Sequence, residues 1–304
     1  MQTTNIRAMM YAAALVHPAL VVAQRADSVR AAECPSCAAW AMPQAPMRLY
    51  GNTYFVGTHG LSVILVTSPA GHVLIDGALP ESAPQILANI AALGFRVQDV
   101  KLILNSHDHF DHAGGLSALQ VATHATVAAS PSSAAVIERG FSGPDDPQYG
   151  VILPFPRVTT HVQRIADGEA LRVGPLALVA HFTPGHTPGG TSWSWSSCDE
   201  QQRCLNFVYA DSQTPISADG FLYTRSHTYP TGVADFERGQ RVLAGLPCDV
   251  LLTPHPSASS LWERLAAQEG ATTGGLVDRE ACQRLAATGA AALAKRIATE
   301  RGAK

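Results

Sequence analysis

Seven residues, Ser106-His107-Asp108-His109-Phe110-Asp111-His112, concentrate three imidazoles and two carboxylates in one short stretch. They follow directly on Val100–Leu104, a largely apolar run of strand length that reads as a strand covered on both faces. The polar cluster therefore stands at a strand's C-terminal end, where α/β sheets place their sites. While the backbone stays extended, alternate side chains project to one side, so His107, His109 and Asp111 can converge. His112 becomes available once the chain turns toward Gly114-Gly115. Imidazole and carboxylate suit zinc, with bonds of about 2.0–2.2 Å, and a catalytic zinc takes three protein ligands and keeps one position open. Four ligand-type residues in one segment exceed that need and point to two metals. A His-rich exposed loop without metal would not require an aspartate interleaved beside a core strand.

Two more histidines fit the same geometry. His186 lies in Pro184-Gly185-His186-Thr187-Pro188-Gly189-Gly190, after the strand-like run Leu176–Phe182. His255 lies in Thr253-Pro254-His255-Pro256, after Val250–Leu252. A single histidine after a strand is an ordinary loop residue. Three strand-then-histidine segments can meet along one edge of a layered fold.

Strand-like, β-branched or aromatic runs recur at Leu49–Val56, Leu61–Thr67 and His72–Ile75, punctuated by Gly57, Gly60, Pro69, Gly71 and Gly77. Ala83–Leu93 carries apolar residues at helical spacing and ends at Gly94. Phe141–Pro156, rich in Gly, Pro and Asp, reads as a long loop. A second β-rich stretch follows at Thr160–Ile165, Ala170–Val173, Leu176–Phe182, Thr191–Ser196 and Leu205–Tyr209. Helices are expected near residues 232–245, 257–268 and 278–300. Two β-rich halves with helices outside imply an α/β chain folded as a four-layer αββα sandwich.

Of the 304 residues, 46% are hydrophobic and 15% charged, which excludes a disordered chain. The net charge of -3 supplies no positive field for nucleic acid. Arg7 followed by the apolar stretch Ala8–Ala23, with Val21 and Ala23 before a cleavage point, reads as an export signal over 1–23, leaving one domain over 24–304. The stretch is too short for a membrane span. Export to the periplasm fits six cysteines used as disulfides. Cys198 and Cys204 flank C-D-E-Q-Q-R-C, a hairpin tip, and Cys248 with Cys282 would pin the last helix to the core. Cys34 and Cys37 form a C-x-x-C that fits neither a redox motif nor a zinc knuckle, and their pairing stays open. No long apolar surface stripe is visible, so a monomer is expected.

H-x-H-x-D-H followed by G-H-T-P-G and a late histidine resembles the metallo-β-lactamase superfamily, from about Leu49 to the last helix. Val208-Tyr209-Ala210-Asp211-Ser212 and the T-P-H-P-S around His255 resemble subclass B3 metallo-β-lactamases. That resemblance implies two zinc ions, one on His107, His109 and His186, the other on Asp111, His112 and His255. Ser212 stands where other subclasses place a cysteine ligand, and Cys204 is the nearest cysteine here. The implied activity is hydrolysis of a small-molecule β-lactam, carbapenems included. Two zincs about 3.5–4 Å apart can share a bridging water and bring its pKa toward roughly 7. Asp111 would orient that nucleophile, Ser212 and Thr214 would contact the substrate carboxylate, and Gln148 would reach over the site from the long loop. No nucleophile-elbow G-x-S-x-G occurs.

Metal-bound histidines donate their other ring nitrogen to a carboxylate or carbonyl. Asp76 and Asp211 are candidates for that role, with loop capping as the other reading. His59, in a turn between early strands, has a structural reading and a substrate-side one. His72, His124, His161, His181 and His227 lack partners at ligand spacing, and Trp193 and Trp195 read as core. The competing activity is that of a glyoxalase II-like thioesterase or a lactonase, in which Asp211 would bridge the metals. A zinc-binding protein without turnover would need saturated metals instead of open positions.

Overall fold

The computed structural model describes residues 34–267 and 275–302, so the expected signal segment lies outside the described residues. From Ala39 on, the described residues form one compact unit, which carries both sheets.

β1 (Met47–Tyr50), β2 (Thr53–Phe55), β3 (Ile64–Val66), β4 (His72–Ile75), β5 (Val100–Leu104), β6 (Thr126–Ala129) and β7 (Gln163–Arg164) form one sheet in that order. Pairing is antiparallel from β1 to β4 and parallel from β4 to β7. β8 (Ala170–Val173), β9 (Leu176–Phe182), β10 (Thr191–Cys198), β11 (Cys204–Tyr209) and β12 (Val250–Leu252) form the second, in the order β12-β11-β10-β9-β8. Only β11 and β12 run parallel in it.

Alternation puts one face of each sheet into a shared core. Ile64, Val66, Val73, Ile75, Leu102 and Leu104 come from the first sheet, and Leu178, Ala180, Trp193, Trp195, Phe207 and Tyr209 from the second. Trp193 and Trp195 are therefore core residues, as expected from their spacing. The helices are α1 (Cys37–Trp40), α2 (Ala83–Ala92), α3 (Phe110–Ala113), α4 (Leu116–Thr123), α5 (Pro131–Arg139), α6 (Gly232–Gly245), α7 (Leu261–Ala266) and α8 (Ala281–Gly302). On the outer side of the first sheet, α4 contacts β5 and α2, and α5 contacts β6. On the outer side of the second, Val208, Ala210 and Leu251 pack with Leu243 of α6 and Cys282 and Ala286 of α8. The result is the expected αββα sandwich.

Several boundaries differ from the sequence reading. The expected strand Leu49–Val56 is broken at Gly51, whose φ is +52° and whose added Cβ would lie 2.5 Å from the Cys198 carbonyl oxygen. Thr160–Ile165 shrinks to the two residues of β7. The helix expected over 257–268 is interrupted at Ser260, at φ +49°, which separates a 3-10 turn (Pro256–Ser259) from α7. α4, β6 and α5 were not anticipated. Cys198–Cys204 closes the β10–β11 hairpin and Cys248–Cys282 ties the approach to β12 to α8, both as expected. Cys34 pairs with Cys37, which answers the open pairing.

Candidate metal centre

The ends of β4, β5 and β11 are tied together beneath the histidine segment. Asp76, just after β4 and at φ +65°, accepts from the Ser106 amide at 2.7 Å, the Ser106 hydroxyl at 2.7 Å and the Tyr209 hydroxyl at 2.8 Å. A buried carboxylate in a left-handed conformation is costly. Here it fixes the platform from which His107 projects. Asp76 thus holds the strand ends and is not the direct partner of a ring nitrogen, which settles one of the two sequence candidates as a scaffold.

The other candidate does meet a histidine. His107 Nδ1 and Asp211 Oδ1 are 2.7 Å apart, both groups buried. His109 Nε2 stands 3.0 Å from Asp146 Oδ2, and His186 Nδ1 is 2.9 Å from the Thr214 carbonyl oxygen. Each of these three imidazoles donates one ring nitrogen outward, leaving His107 Nε2, His109 Nδ1 and His186 Nε2 for a shared partner, the arrangement that orients metal-bound histidines. Their ligand atoms fall within 4.8 Å of one another. Burial first, and then the neighbouring imidazoles, hold His107 well below the ordinary range and His186 at about 3, so both stay neutral with a lone pair available. For His109 and Asp146 burial opposes charge, but their hydrogen bond prevails, raising the imidazole and lowering the carboxyl.

The second set forms where the chain turns. The extended path expected through Asp111 ends at His109 (ψ 153°), the N-cap of α3, and Asp111 and His112 lie in that helix. Helical turning, not strand alternation, brings them together. His107, Asp111 and His112 also have ligand atoms within 4.8 Å of one another. Asp111 Oδ2 lies 3.1 Å from His112 Nε2 and 3.3 Å from His255 Nε2. Burial opposes ionisation of Asp111, yet His112 and His255 carry its carboxyl well below the ordinary range. Nδ1 of the buried His112 lacks a hydrogen-bond partner, and its Nε2 faces the Asp111 carboxylate at 3.1 Å. A buried ring nitrogen without a partner is expensive, and His112 Nε2, Asp111 Oδ2 and His255 Nε2 together form a donor set that a metal ion fits. The described residues thus hold two adjoining ligand groups, a binuclear metal site.

Glycines in the His186 segment serve close approach. Gly185, at φ +140°, faces the Phe236 ring, where an added Cβ would lie 2.4 Å from a ring carbon. At Gly190 it would lie 2.4 Å from Asp211 Oδ2.

Around the rim, the Gln148 side-chain Nε2 lies 3.4 Å from His186 Nε2, so the long loop does reach over the site. Ser212 is half-buried and Thr214 exposed, on either side of the buried Gln213, and both line one cavity with His255. His59 is exposed, stacks on Trp262 at 4.8 Å and meets Gln44 at 3.1 Å. Two residues escaped the sequence reading. Asp146 is one, 37 positions beyond His109 in the long loop. Its proximity to Gln148, two residues on, was the available signal. Trp40 is the other: its ring lies 5.1 Å from His255 and 6.4 Å from Phe110, walling the site beside the second group.

The family model of the metallo-beta-lactamase superfamily matches residues 56–199. The chain is similar to the solved structure of Rm3 metallo-beta-lactamase, with 54% identity and TM-score 0.86 over 88% of this chain and 99% of that one. Together with the fold and the paired ligand groups, this makes the chain a member of the metallo-beta-lactamase superfamily. Within it the chain resembles the B3-type lactamases. MEM-A1, a subclass B3 metallo-beta-lactamase isolated from a soil metagenome library, is 45% identical, with TM-score 0.84 over 87% of this chain and 100% of that one. The uncharacterized protein YobT of Bacillus subtilis (strain 168) is 32% identical over 145 residues. That match covers 46% of this chain and only 59% of YobT.

Proposed function

We propose that the protein hydrolyses the β-lactam amide bond using two zinc ions. The observation that carries this reading is the pair of adjoining ligand groups at the end of β5, in a chain 54% identical to a metallo-beta-lactamase. In our assignment His107, His109 and His186 hold one ion, and Asp111, His112 and His255 the other. His107 lies near both groups, but its Nδ1 is committed to Asp211, leaving one nitrogen for one metal. His255, against Asp111, is the natural third member of the second set. When bound, the pair supplies Lewis acidity at the lactam carbonyl and a water whose pKa is lowered to about 7.

The protein's own groups do the rest. Asp111, ionised between His112 and His255, accepts a hydrogen bond from the attacking water and so orients it. Ser212 and Thr214 donate to the substrate carboxylate, and Gln148 covers the substrate from the long loop. Asp211 sits behind His107, in hydrogen bond with it, which disfavours the bridging role that a thioesterase or lactonase reading requires. The three disulfides favour an oxidising compartment, and we place the protein in the periplasm on that ground. Among the described residues no helix is long and apolar enough to cross a membrane.

The test is carbapenem hydrolysis by the purified protein with zinc added and then with EDTA. Ring opening that requires zinc and stops with chelator is expected. No hydrolysis by protein loaded with two zincs overturns the reading and redirects the search to thioesters and lactones.

A further inference from the structure

The last two turns of α8 carry an ion pair whose contacts all lead toward the metal centre. Glu300 is 2% exposed, although it is a carboxylate close to a helix C-terminus, where both burial and the helix dipole disfavour it. It accepts from the Tyr223 amide at 3.0 Å, the Thr224 amide at 2.8 Å, the Thr224 hydroxyl at 2.8 Å and Arg296 Nε at 2.5 Å. Arg296 donates in turn to the Phe221 carbonyl at 2.7 Å, the Ser217 hydroxyl at 2.8 Å and the Pro215 carbonyl at 3.4 Å. Its guanidinium also lies over the Tyr223 ring at 5.4 Å.

All these partners lie on the segment 214–224, which has no helix or strand of its own to fix it. That segment touches the site at both ends. The Thr214 carbonyl accepts from His186 Nδ1 at 2.9 Å. The Tyr223 hydroxyl donates to the Ile216 carbonyl at 3.0 Å and reaches the carbonyl of Gly185, next to His186, at 3.4 Å. The Ala218 amide donates to the Pro147 carbonyl at 2.9 Å, coupling the segment to the loop that bears Asp146 and Gln148.

We infer that Arg296 and Glu300 are positioning residues, which set the orientation of His186 and the placement of Thr214 through the segment 214–224. The inference rests on the metal-ligand assignment proposed above for His186. Docking of α8 does not call for this clamp. The helix is already fixed at its start by Cys248–Cys282 and the packing of Cys282 and Ala286 against the second sheet, and toward its end by Leu293 packed with Phe236 of α6. The buried charge pair is therefore spent on the loop.

The experiment compares the full-length protein with Arg296→Met, Glu300→Gln and the milder Ser217→Ala. Ile86→Val, a core change in α2, serves as a stability control. Four readouts are taken: zinc affinity by competition with a chelator, the Co(II) absorption spectrum of the substituted protein, Tm, and kcat and KM for a β-lactam. Arg296→Met and Glu300→Gln are expected to weaken the binding of one metal by about tenfold, the usual effect of losing a ligand's orienting support. They should also change the Co(II) spectrum and raise KM more than they lower kcat, with Ser217→Ala shifting the same readouts less. Ile86→Val should lower Tm and leave metal affinity and spectrum unchanged. Wild-type metal affinity and an unchanged Co(II) spectrum in folded Arg296→Met or Glu300→Gln would overturn the inference. If either fails to fold, the same null result in Ser217→Ala overturns it. Absent β-lactam hydrolysis in a wild type that binds both metals would sink the proposed function alone, since the affinity comparison still decides the clamp.

Discussion

Asp146 is the residue whose removal should separate metal binding from folding most cleanly. Its carboxylate oxygens serve two donors, His109 Nε2 at 3.0 Å and the Gln148 backbone N–H at 2.7 Å, and it is 3% exposed. A hydrogen bond to a charged group contributes about 1.5–3 kcal/mol. Loss of a ligand's outer partner typically costs about 10–100-fold in metal affinity, or about 1.4–2.8 kcal/mol. The two scales agree, so Asp146→Ala should weaken the metal on His109 by between one and two decades. It should also release Gln148 and raise KM. Asp146→Asn keeps the volume and one acceptor oxygen, and belongs at the lower end of that range. The assay is a zinc titration against a chromophoric chelator, with activity followed across zinc concentrations. Excess zinc should restore kcat in Asp146→Asn, while the raised KM of Asp146→Ala should persist. A folded Asp146→Ala that binds both metals as tightly as wild type would show that His109 is oriented without Asp146.

Other substitutions probe the frame around the site. Gly185→Ala forces a Cβ onto the Phe236 ring at φ +140°, and strain plus overpacking should cost about 2–4 kcal/mol, read in urea denaturation. Replacing Cys248 and Cys282 by serine opens a 34-residue link and should cost about 3–4 kcal/mol in the same assay. Asp111→Ala should abolish turnover even at saturating zinc, and near-normal turnover would remove its orienting role. Glu138 pairs with Arg164 at 2.7 Å and with the Val162 amide, which lowers its pKa from 4.5 to about 2. A depressed carboxyl stabilises the fold above its unfolded pKa. That contribution, about 1 kcal/mol after solvent screening, should fade as pH falls from 4.5 toward about 2 and be absent in Glu138→Gln.

The candidate ligand residues were legible because chemistry crowds them together. His107, His109, Asp111 and His112 occupy six positions after an apolar strand, and no core needs that. α6 was equally plain, its expected range matching Gly232–Gly245. α5 announced itself with Ser130 as N-cap, Pro131 at the first position and Gly140 at the end, yet was passed over. α4 gave fewer signals: no side-chain cap opens it, and it ends on His124 at φ +58°, a conformation usually left to glycine. Asp146 could not be found from spacing, because its link to His109 is made by a loop folding back over 37 residues. The Arg296–Glu300 clamp is hidden for a similar reason. An Arg and a Glu four apart on a helix read as an exposed pair until the segment 214–224 covers them.

A two-metal centre built from six side chains fixes the metal content of the protein. Zinc per chain would be measured by elemental analysis after gel filtration in chelator-free buffer, for wild type and for Asp111→Ala. Two zincs in wild type and about one in Asp111→Ala, with the His107–His109–His186 group still filled, is the predicted result. One zinc or none in folded wild type, or two retained in Asp111→Ala, would contradict it.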